Sequence, residues 1–145
     1  MGAWLYQMAA DTYPPADYRR DVKEWKTTRG WSGGKVRHGK GPSPIAGDLV
    51  FLFYAPSGTI APGLYGLGVI LDYDEAAGKI GIRPLPPSDH LKMHPLWSPP
   101  IRNEIDSIRG KVPRGTMWPA PGPSIRALLK AIESALAGPV TTRKP

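Results

Sequence analysis

The residues best suited to chemistry in this chain are a tryptophan and a group of cations that lie close together. The segment from residue 29 to residue 40 reads RGWSGGKVRHGK and contains no acidic residue. Cationic side chains neutralise phosphate groups, and an indole ring stacks on a nucleobase for about 1–3 kcal/mol. This segment predicts a contact with nucleic acid, although a solvated basic loop is the alternative interpretation. We expect Trp31 to stack on a base and the following residues to hold the flanking phosphates: Lys35, Arg37, His38 and Lys40.

Motifs for catalysis or for a cofactor are incomplete in this sequence. The stretch Gly30–Lys35 superficially resembles a phosphate-binding P-loop, but Arg29 stands where the first glycine belongs, and Val36 replaces the magnesium-binding Ser or Thr. No G-x-S-x-G elbow positions a serine nucleophile, and the absence of cysteine excludes thiol nucleophiles and thiolate zinc ligands. The acidic residues are scattered singly. We expect a binding protein that is not an enzyme and carries no cofactor.

Two histidines have the spacing of a metal-binding pair. His90 and His94 stand four residues apart, which would place both imidazoles on one face of a helix. However, Leu91 occupies the position of the glutamate in a zinc-protease helix, and Pro95 ends any helix immediately. We expect two exposed loop histidines and no metal site.

Length, charge and hydropathy limit the class of protein further. The chain has 145 residues, enough for one domain that buries about 70% of its unfolded surface. Its 19 Lys and Arg exceed its 12 Asp and Glu, and the resulting net charge of +7 favours polyanionic partners. No apolar run approaches the ~18 residues that span a bilayer, and no basic signal region precedes Trp4. We expect a soluble, cytoplasmic protein that does not bind membranes.

The elements that must position these residues are short strands joined by tight loops, because 17 Gly and 18 Pro are incompatible with a helical bundle. Apolar patterns predict strands at Trp4–Met8, Leu49–Tyr54, Leu64–Leu71, Lys79–Leu85 and Arg114–Pro119. Helical spacing predicts helices at Asp17–Lys26 and Ser124–Leu136, each with its first residue as the N-cap. A short helix is also expected between Asn103 and Ile108.

Local features within these elements carry expectations of their own. The apolar run after the turn at Gly47–Asp48 predicts a strand buried on both faces. Gly66 and Gly68 alternate within the next strand, which indicates a bulge or the close approach of another group. The prolines at Pro99–Pro100 are expected to forbid a helix where they stand, and a docked loop that carries Trp97 is expected instead.

The other tryptophans also have structural interpretations. Trp4 in the first strand and Trp25 on an apolar helical face are expected in the core, although Trp4 could also form the wall of a ligand pocket. Trp118 is expected to pack under the C-terminal helix. Trp97 fits a core position and a ligand contact equally well. Trp31 differs from all of these, because its Gly, Ser and basic neighbours offer little local packing.

The order of these segments resembles the EVE domain family. In that family a first strand with a Trp is followed by a loop Trp in a basic context, a Gly-Asp turn into an aromatic strand, a Gly-containing strand and a C-terminal helix. The corresponding residues here are Ala3–Leu5, Trp31–His38, Gly47–Tyr54, Gly63–Val69 and Ser124–Leu136. The resemblance implies an α+β fold, a PUA-like small twisted β-barrel with short flanking helices and a C-terminal helix. We expect one such domain over residues 1–138 and a flexible basic tail over residues 139–145.

EVE domains, like the similar YTH and ASCH domains, bind nucleic acid, and some of them hold a modified base in an aromatic cage. By resemblance, Trp31 forms one wall of such a cage here, and the strand end at Tyr54–Ser57 forms its rim. Walls, edge contacts and an apolar contact are expected from Trp31, Trp4, Tyr54, Ser57, Gln7 and Met8. Among these, Gln7 and Ser57 would read the edge of the base.

The chain departs from the family pattern at two places. Many members have Ser-Glu-Pro where Met8–Ala10 stand, and an Arg-Asn pair is common where Lys35–His38 stand. We predict a module that binds DNA or RNA and holds a base, expected to be a modified one, in an aromatic pocket. The alternative is a sensor of small molecules or nucleotide derivatives that uses the same pocket. A third interpretation is an enzyme acting on a modified base or a protein-interaction module. The sequence makes no prediction of oligomeric state.

Overall fold

The chain forms a mixed sheet with helices, which confirms the α+β class. The computed structural model describes residues 2–24, 43–110 and 117–137. Over these residues, the strands are β1 (Ala3–Met8), β2 (Leu49–Tyr54), β3 (Gly63–Asp74), β4 (Lys79–Pro84) and β5 (Met117–Pro119). The helices are α1 (Pro15–Glu24), α2 (Pro87–Leu91), α3 (Pro99–Arg109) and α4 (Gly122–Ala137).

The five strands pair in the order β4-β3-β2-β1-β5. Strands β1 and β2 run parallel, with Ala3 opposite Leu49 and Met8 opposite Tyr54, whereas every other neighbouring pair is antiparallel. Within the described part of the chain, β4 and β5 are the two edges of an open sheet. The expected closure into a small barrel is therefore not confirmed.

The sheet is buried on both faces, as the apolar run in β2 predicted. Because side chains alternate along a strand, Val50, Leu52 and Tyr54 point to one face, and Phe51 and Phe53 point to the other. All five are fully buried. A strand that is apolar at every position thus packs against two separate cores.

The first core, here called the tyrosine core, lies between one face of the sheet and α1. It includes Trp4, Tyr6, Met8, Tyr18, Val22, Val50, Leu52, Tyr54 and Tyr65. The second, here called the helical core, lies under α3 and α4. It includes Leu5, Phe51, Phe53, Leu64, Ile101, Ile105, Trp118, Leu128 and Ile132. Trp118 thus packs in the same core as the apolar stripe of α4, as expected.

The alternate glycines of β3 sit where other groups approach closely, and this confirms their interpretation. A Cβ atom on Gly66 would collide with the hydroxyl of Tyr18 from α1, and one on Gly68 would lie 2.7 Å from Ile82 Cγ2. The β2–β3 register also shifts at this point, because Leu52 faces Gly66 while Phe53 faces Leu64. The irregularity and the missing side chain together let α1 pack directly onto β3.

The helix α2 covers the part of β3 that extends beyond β4. The Ser88 hydroxyl donates to the carbonyl of Leu67 at 2.7 Å and accepts from the Leu67 N–H at 2.9 Å. One buried side chain thereby pairs with both backbone groups of Leu67, whose carbonyl also accepts the backbone N–H of Leu85 at 2.8 Å. This helix was not predicted from the sequence.

The prediction that Pro99–Pro100 forbid a helix was wrong. The helix α3 begins at these residues and runs to Arg109, with Ser98 as its N-cap in an extended conformation. The first turn of a helix has backbone N–H groups without intrahelical partners, so proline, which lacks that group, costs little there. Ser124 is likewise not an N-cap, because α4 begins two residues earlier, at Gly122.

Several expectations fall outside the described residues. These concern Trp25, the segment from 29 to 40, the start of the last strand at Arg114 and the tail at 139–145. Among the helices that the structure does describe, none combines the length and the apolar character needed to cross a bilayer.

Candidate functional site

The predicted base pocket is only partly covered by the described residues. Trp31 and the four predicted phosphate contacts, Lys35, Arg37, His38 and Lys40, lie outside them. The remaining five residues, Trp4, Gln7, Met8, Tyr54 and Ser57, can each be placed in the fold.

Trp4 belongs to the tyrosine core and is 5% exposed. Its indole N–H donates to Asp48 Oδ2 at 3.0 Å, and the same carboxylate accepts the backbone N–H groups of Gly2 at 2.9 Å and Ile45 at 3.1 Å. Burial alone would raise the pKa of Asp48, but the three donors outweigh it and hold that pKa below its usual value. The Trp4 side chain thus ties the start of β1 to the turn before β2.

Tyr54 and Met8 lie side by side at the carboxyl ends of the two parallel strands, and both are buried in the tyrosine core. The ring of Tyr54 makes edge contacts with Tyr18 and Tyr65, at centroid distances of 6.4 and 4.8 Å. Its hydroxyl donates to the carbonyl of Tyr13 at 2.5 Å, and burial raises its pKa. Tyr54 is therefore a neutral core residue with no open ring face.

Gln7 and Ser57 do not join these residues. Gln7 alternates with Tyr6 and Met8 along β1, so its side chain points to the opposite face of the sheet. Ser57 is exposed in the loop between β2 and β3. Of the five predicted pocket residues that the structure describes, Trp4, Met8 and Tyr54 share the tyrosine core. Met8 and Tyr54 are neighbours across the two strands, and all three are buried.

An open cleft lies on the other side of the sheet, between α3, α4 and the segment that precedes α3. Its volume is about 370 Å³, and it is lined by Pro95, Leu96, Trp97, Ser98, Pro100, Ile101, Ala131 and Ser134. Trp97 is partly buried in its wall. The guanidinium carbon of Arg102 lies 5.5 Å from the centre of the Trp97 ring, which is within the range of a cation–π contact.

The segment that carries Trp97 is fixed to β3 by backbone hydrogen bonds. Leu64 and Leu96 exchange two of them, at 2.9 and 3.1 Å. Gly63 makes this approach possible, because it has a φ of +140° and a Cβ there would lie 2.8 Å from the Leu96 carbonyl oxygen. Trp97 therefore follows a residue whose backbone position is set by the sheet.

The cleft combines apolar side chains with two serines and one cation. Apolar side chains form most of its wall, the hydroxyls of Ser98 and Ser134 lie at its margin, and the exposed cation of Arg102 stands over the indole. The residues of the described ranges contain no group of three His, Asp or Glu that could hold a metal ion. His90 and His94 are exposed, with their ring centres 4.8 Å apart.

The sequence leaves the role of Trp97 open, and Trp97 is not among the predicted pocket residues. A signal in the sequence could have indicated a role for Trp97, because it stands between Pro95 and the prolines that begin α3. Prolines make such a segment rigid, and the ring lies outside any apolar stripe. No protein-family model matches the chain, and comparisons with curated proteins and with solved structures also found no match. The resemblance to the EVE domain stays a prediction.

Proposed function

We propose that this protein is a nucleic-acid-binding module that holds a base against Trp97 in the cleft between α3 and α4. The observation that carries the proposal is the partly buried indole of Trp97 at an open cleft, with the Arg102 guanidinium over its ring. An indole stacks on any base for about 1–3 kcal/mol, and a neighbouring cation can meet a flanking phosphate.

Size and charge support the same function. Ligand pockets are typically about 300–1,000 Å³, so a cleft of about 370 Å³ suits a ligand as small as one base. The chain carries a net charge of +7, and its segment from 29 to 40 adds cations and Trp31 without any acid. In the proposed complex this segment contacts the backbone of the nucleic acid, and recognition of a modified base remains part of the proposal.

A second candidate function is the sensing of a small aromatic molecule or nucleotide derivative. The lining of the cleft favours it, since Pro95, Leu96, Ile101 and Ala131 offer apolar contact and no charge. Binding of that kind depends on burial of the ligand ring and is insensitive to salt. A nucleic-acid complex loses affinity as salt rises.

The first test is binding of a fluorescently labelled single-stranded oligonucleotide, followed by anisotropy. Trp97→Ala is expected to weaken binding about tenfold, because it removes one stacking contact of about 1.4 kcal/mol or more. Ser134→Trp fills the cleft and is expected to have a similar effect. Ser107→Trp, the same substitution at an exposed position of α3 outside the cleft, is the matched control and should leave the affinity within about twofold.

Unchanged affinity in both cleft variants, with the circular dichroism spectrum retained, would rule out the cleft as the base site. Trp31→Ala in the same assay then separates the two possible sites, since a loss confined to that variant places the base on the segment from 29 to 40. Oligonucleotides with and without a methylated base test the preference for modification. A methyl group buried against the indole is expected to add about 0.8 kcal/mol.

A further inference from the structure

Arg109, at the end of α3, is held between two aromatic rings of the sheet. Its guanidinium carbon lies 5.8 Å from the ring centre of Phe53 and 5.5 Å from that of Trp118. Phe53 belongs to β2 and Trp118 to β5, which are the two strands that flank β1. The guanidinium therefore lies over β1, where Leu5 is paired with Trp118 and Gln7 is paired with Phe53.

Two polar atoms at this position are buried without a hydrogen-bond partner. Among the residues that the structure describes, Gln7 Oε1 and Arg109 Nε are the buried side-chain nitrogen and oxygen atoms in this condition. Both residues as a whole are only partly buried. Part of each residue therefore remains open to solvent.

The charge of Arg109 is also unpaired within the described ranges. The nearest acid along its helix is Asp106, which is exposed and forms no ion pair with it. The aromatic contacts stabilise the guanidinium but supply no hydrogen-bond acceptor. A partly buried cation with an unpaired N–H donor is suited to bind an oxyanion, because arginine can donate two parallel hydrogen bonds to phosphate.

We propose that Arg109 and Gln7 form a binding site for a phosphate-type oxyanion. The guanidinium donates to the anion through its terminal nitrogens, and the Gln7 amide donates through Nε2. The phosphate can come from a nucleic-acid backbone or from a free phosphate compound. The site stands apart from the cleft at Trp97, because Arg109 lies seven residues and about two helical turns from Arg102.

The test is a titration of the full-length protein with inorganic phosphate, observed by the NMR signals of the Arg109 Nε–H and the Gln7 side-chain amide. Both signals are expected to shift. Arg109→Gln should weaken phosphate binding about tenfold, and Arg109→Lys should weaken it several-fold, because lysine keeps the charge but loses the planar pair of donors. Arg126→Gln, at an exposed position of α4, is the matched control and should change binding less than about twofold.

Gln7→Leu distinguishes a binding role from a packing role. Leucine removes the buried Oε1 atom, so the variant is expected to fold at least as stably as the wild type. If Gln7 contacts the anion, this variant binds phosphate several-fold more weakly than the wild type even though it folds as stably. Undiminished binding in Gln7→Leu would overturn the role of that residue.

The proposal would be overturned if the NMR signals shift neither with phosphate nor with an oligonucleotide. It would also be overturned if the same shift persists in Arg109→Gln. A response to the oligonucleotide but not to free phosphate identifies a backbone phosphodiester as the source, and a response to both identifies a site for phosphate itself. Trp97→Ala should leave the phosphate response intact, so the failure of the cleft proposal and the failure of this one are separable.

Discussion

At the scale of single residues, Asp48 shows how one carboxylate can fix the start of two strands. It accepts the indole N–H of Trp4 and the backbone N–H groups of Gly2 and Ile45, and it is 3% exposed. In Asp48→Asn, the side-chain NH₂ group replaces one carboxylate oxygen. At least one of the three N–H donors then faces another donor and loses its hydrogen bond. We expect the free energy of unfolding at pH 7 to fall by about 2–3 kcal/mol, the usual cost of a buried charged hydrogen bond left unmade.

The pH dependence of this effect follows from the lowered pKa of Asp48. A carboxyl group whose pKa is lower in the folded than in the unfolded protein stabilises the fold at pH values above its pKa in the unfolded protein, about 3.8. This stabilisation is lost as the pH falls through the pKa of the group in the folded protein. The difference between wild type and Asp48→Asn in urea unfolding should be constant from neutral pH to about pH 5 and should shrink below about pH 4. Asp11→Asn, at an exposed position, is the control and should show no such difference.

The hydrogen-bond partners of Trp4 and Tyr54 explain why burial of these aromatic side chains could be only partly predicted. Trp4 and Tyr54 have residue types that suit both a core and a binding pocket. Their polar atoms are satisfied by Asp48 and by the carbonyl of Tyr13, which lie 44 and 41 residues away in the sequence. Such partners are set by the tertiary fold, so local sequence could not decide between the two roles.

At the scale of elements, the packing of α1 on β3 depends on Gly66. A Cβ there would collide with Tyr18 Oη and would lie 3.2 Å from Tyr18 Cζ. We expect Gly66→Ala to lower the free energy of unfolding by about 2–3 kcal/mol, since overpacking forces the helix away from the sheet. Thermal and urea denaturation measure the change, and Gly122→Ala in the first turn of α4 is the control, because a Cβ there meets only Arg126 Nη1 at 3.6 Å.

Adding Tyr18→Phe to Gly66→Ala is expected to recover part of the loss, because the colliding hydroxyl is removed. The recovery is incomplete, since that hydroxyl also donates to the carbonyl of Tyr65 at 2.9 Å. A Gly66→Ala protein as stable as the wild type would show that α1 does not press on β3.

The elements themselves were predicted to different degrees. The strands β1 to β4 and the helix α4 followed from apolar patterns that are long or strongly periodic. The helix α2 and the first turn of α3 did not, because their stability comes from contacts with β3 and from proline in a first turn, neither of which is a periodic signal. Trp97 lies in a docked loop, as predicted, but the cleft that α3 and α4 form beside it was not predicted.

At the scale of the whole molecule, the sheet of the described residues is open, and the barrel that the resemblance implied is not confirmed. Barrel closure requires the edge strands to pair with each other, and within the described ranges β4 and β5 do not pair. No local pattern specifies which strands become edges. The resulting open sheet carries one core on each face, and the cleft at Trp97 and the Arg109 site both lie on the face covered by α3 and α4.

The net charge of the whole chain gives the prediction that separates the two candidate functions. If the ligand is a nucleic acid, the logarithm of the affinity falls linearly with the logarithm of salt concentration, by about 0.7 for each phosphate neutralised on a single strand. Anisotropy titrations over a series of salt concentrations measure this slope. Lys35→Gln and Arg37→Gln, within the basic segment, should each reduce its magnitude by about 0.7, whereas Lys130→Gln on the exposed side of α4 should not change it.

A small-molecule sensor would behave differently in the same series. Binding of a free nucleoside to the cleft buries apolar surface and neutralises no phosphate, so its affinity should be the same at every salt concentration and in both basic-segment variants. A steep slope for the oligonucleotide combined with a loss in Trp97→Ala assigns the base to the cleft and the backbone to the basic segment. The opposite result is an affinity that depends on Trp97 but not on salt concentration, for every ligand tested. It would assign the cleft to a small aromatic molecule and would show that the positive charge of the chain has no role in binding.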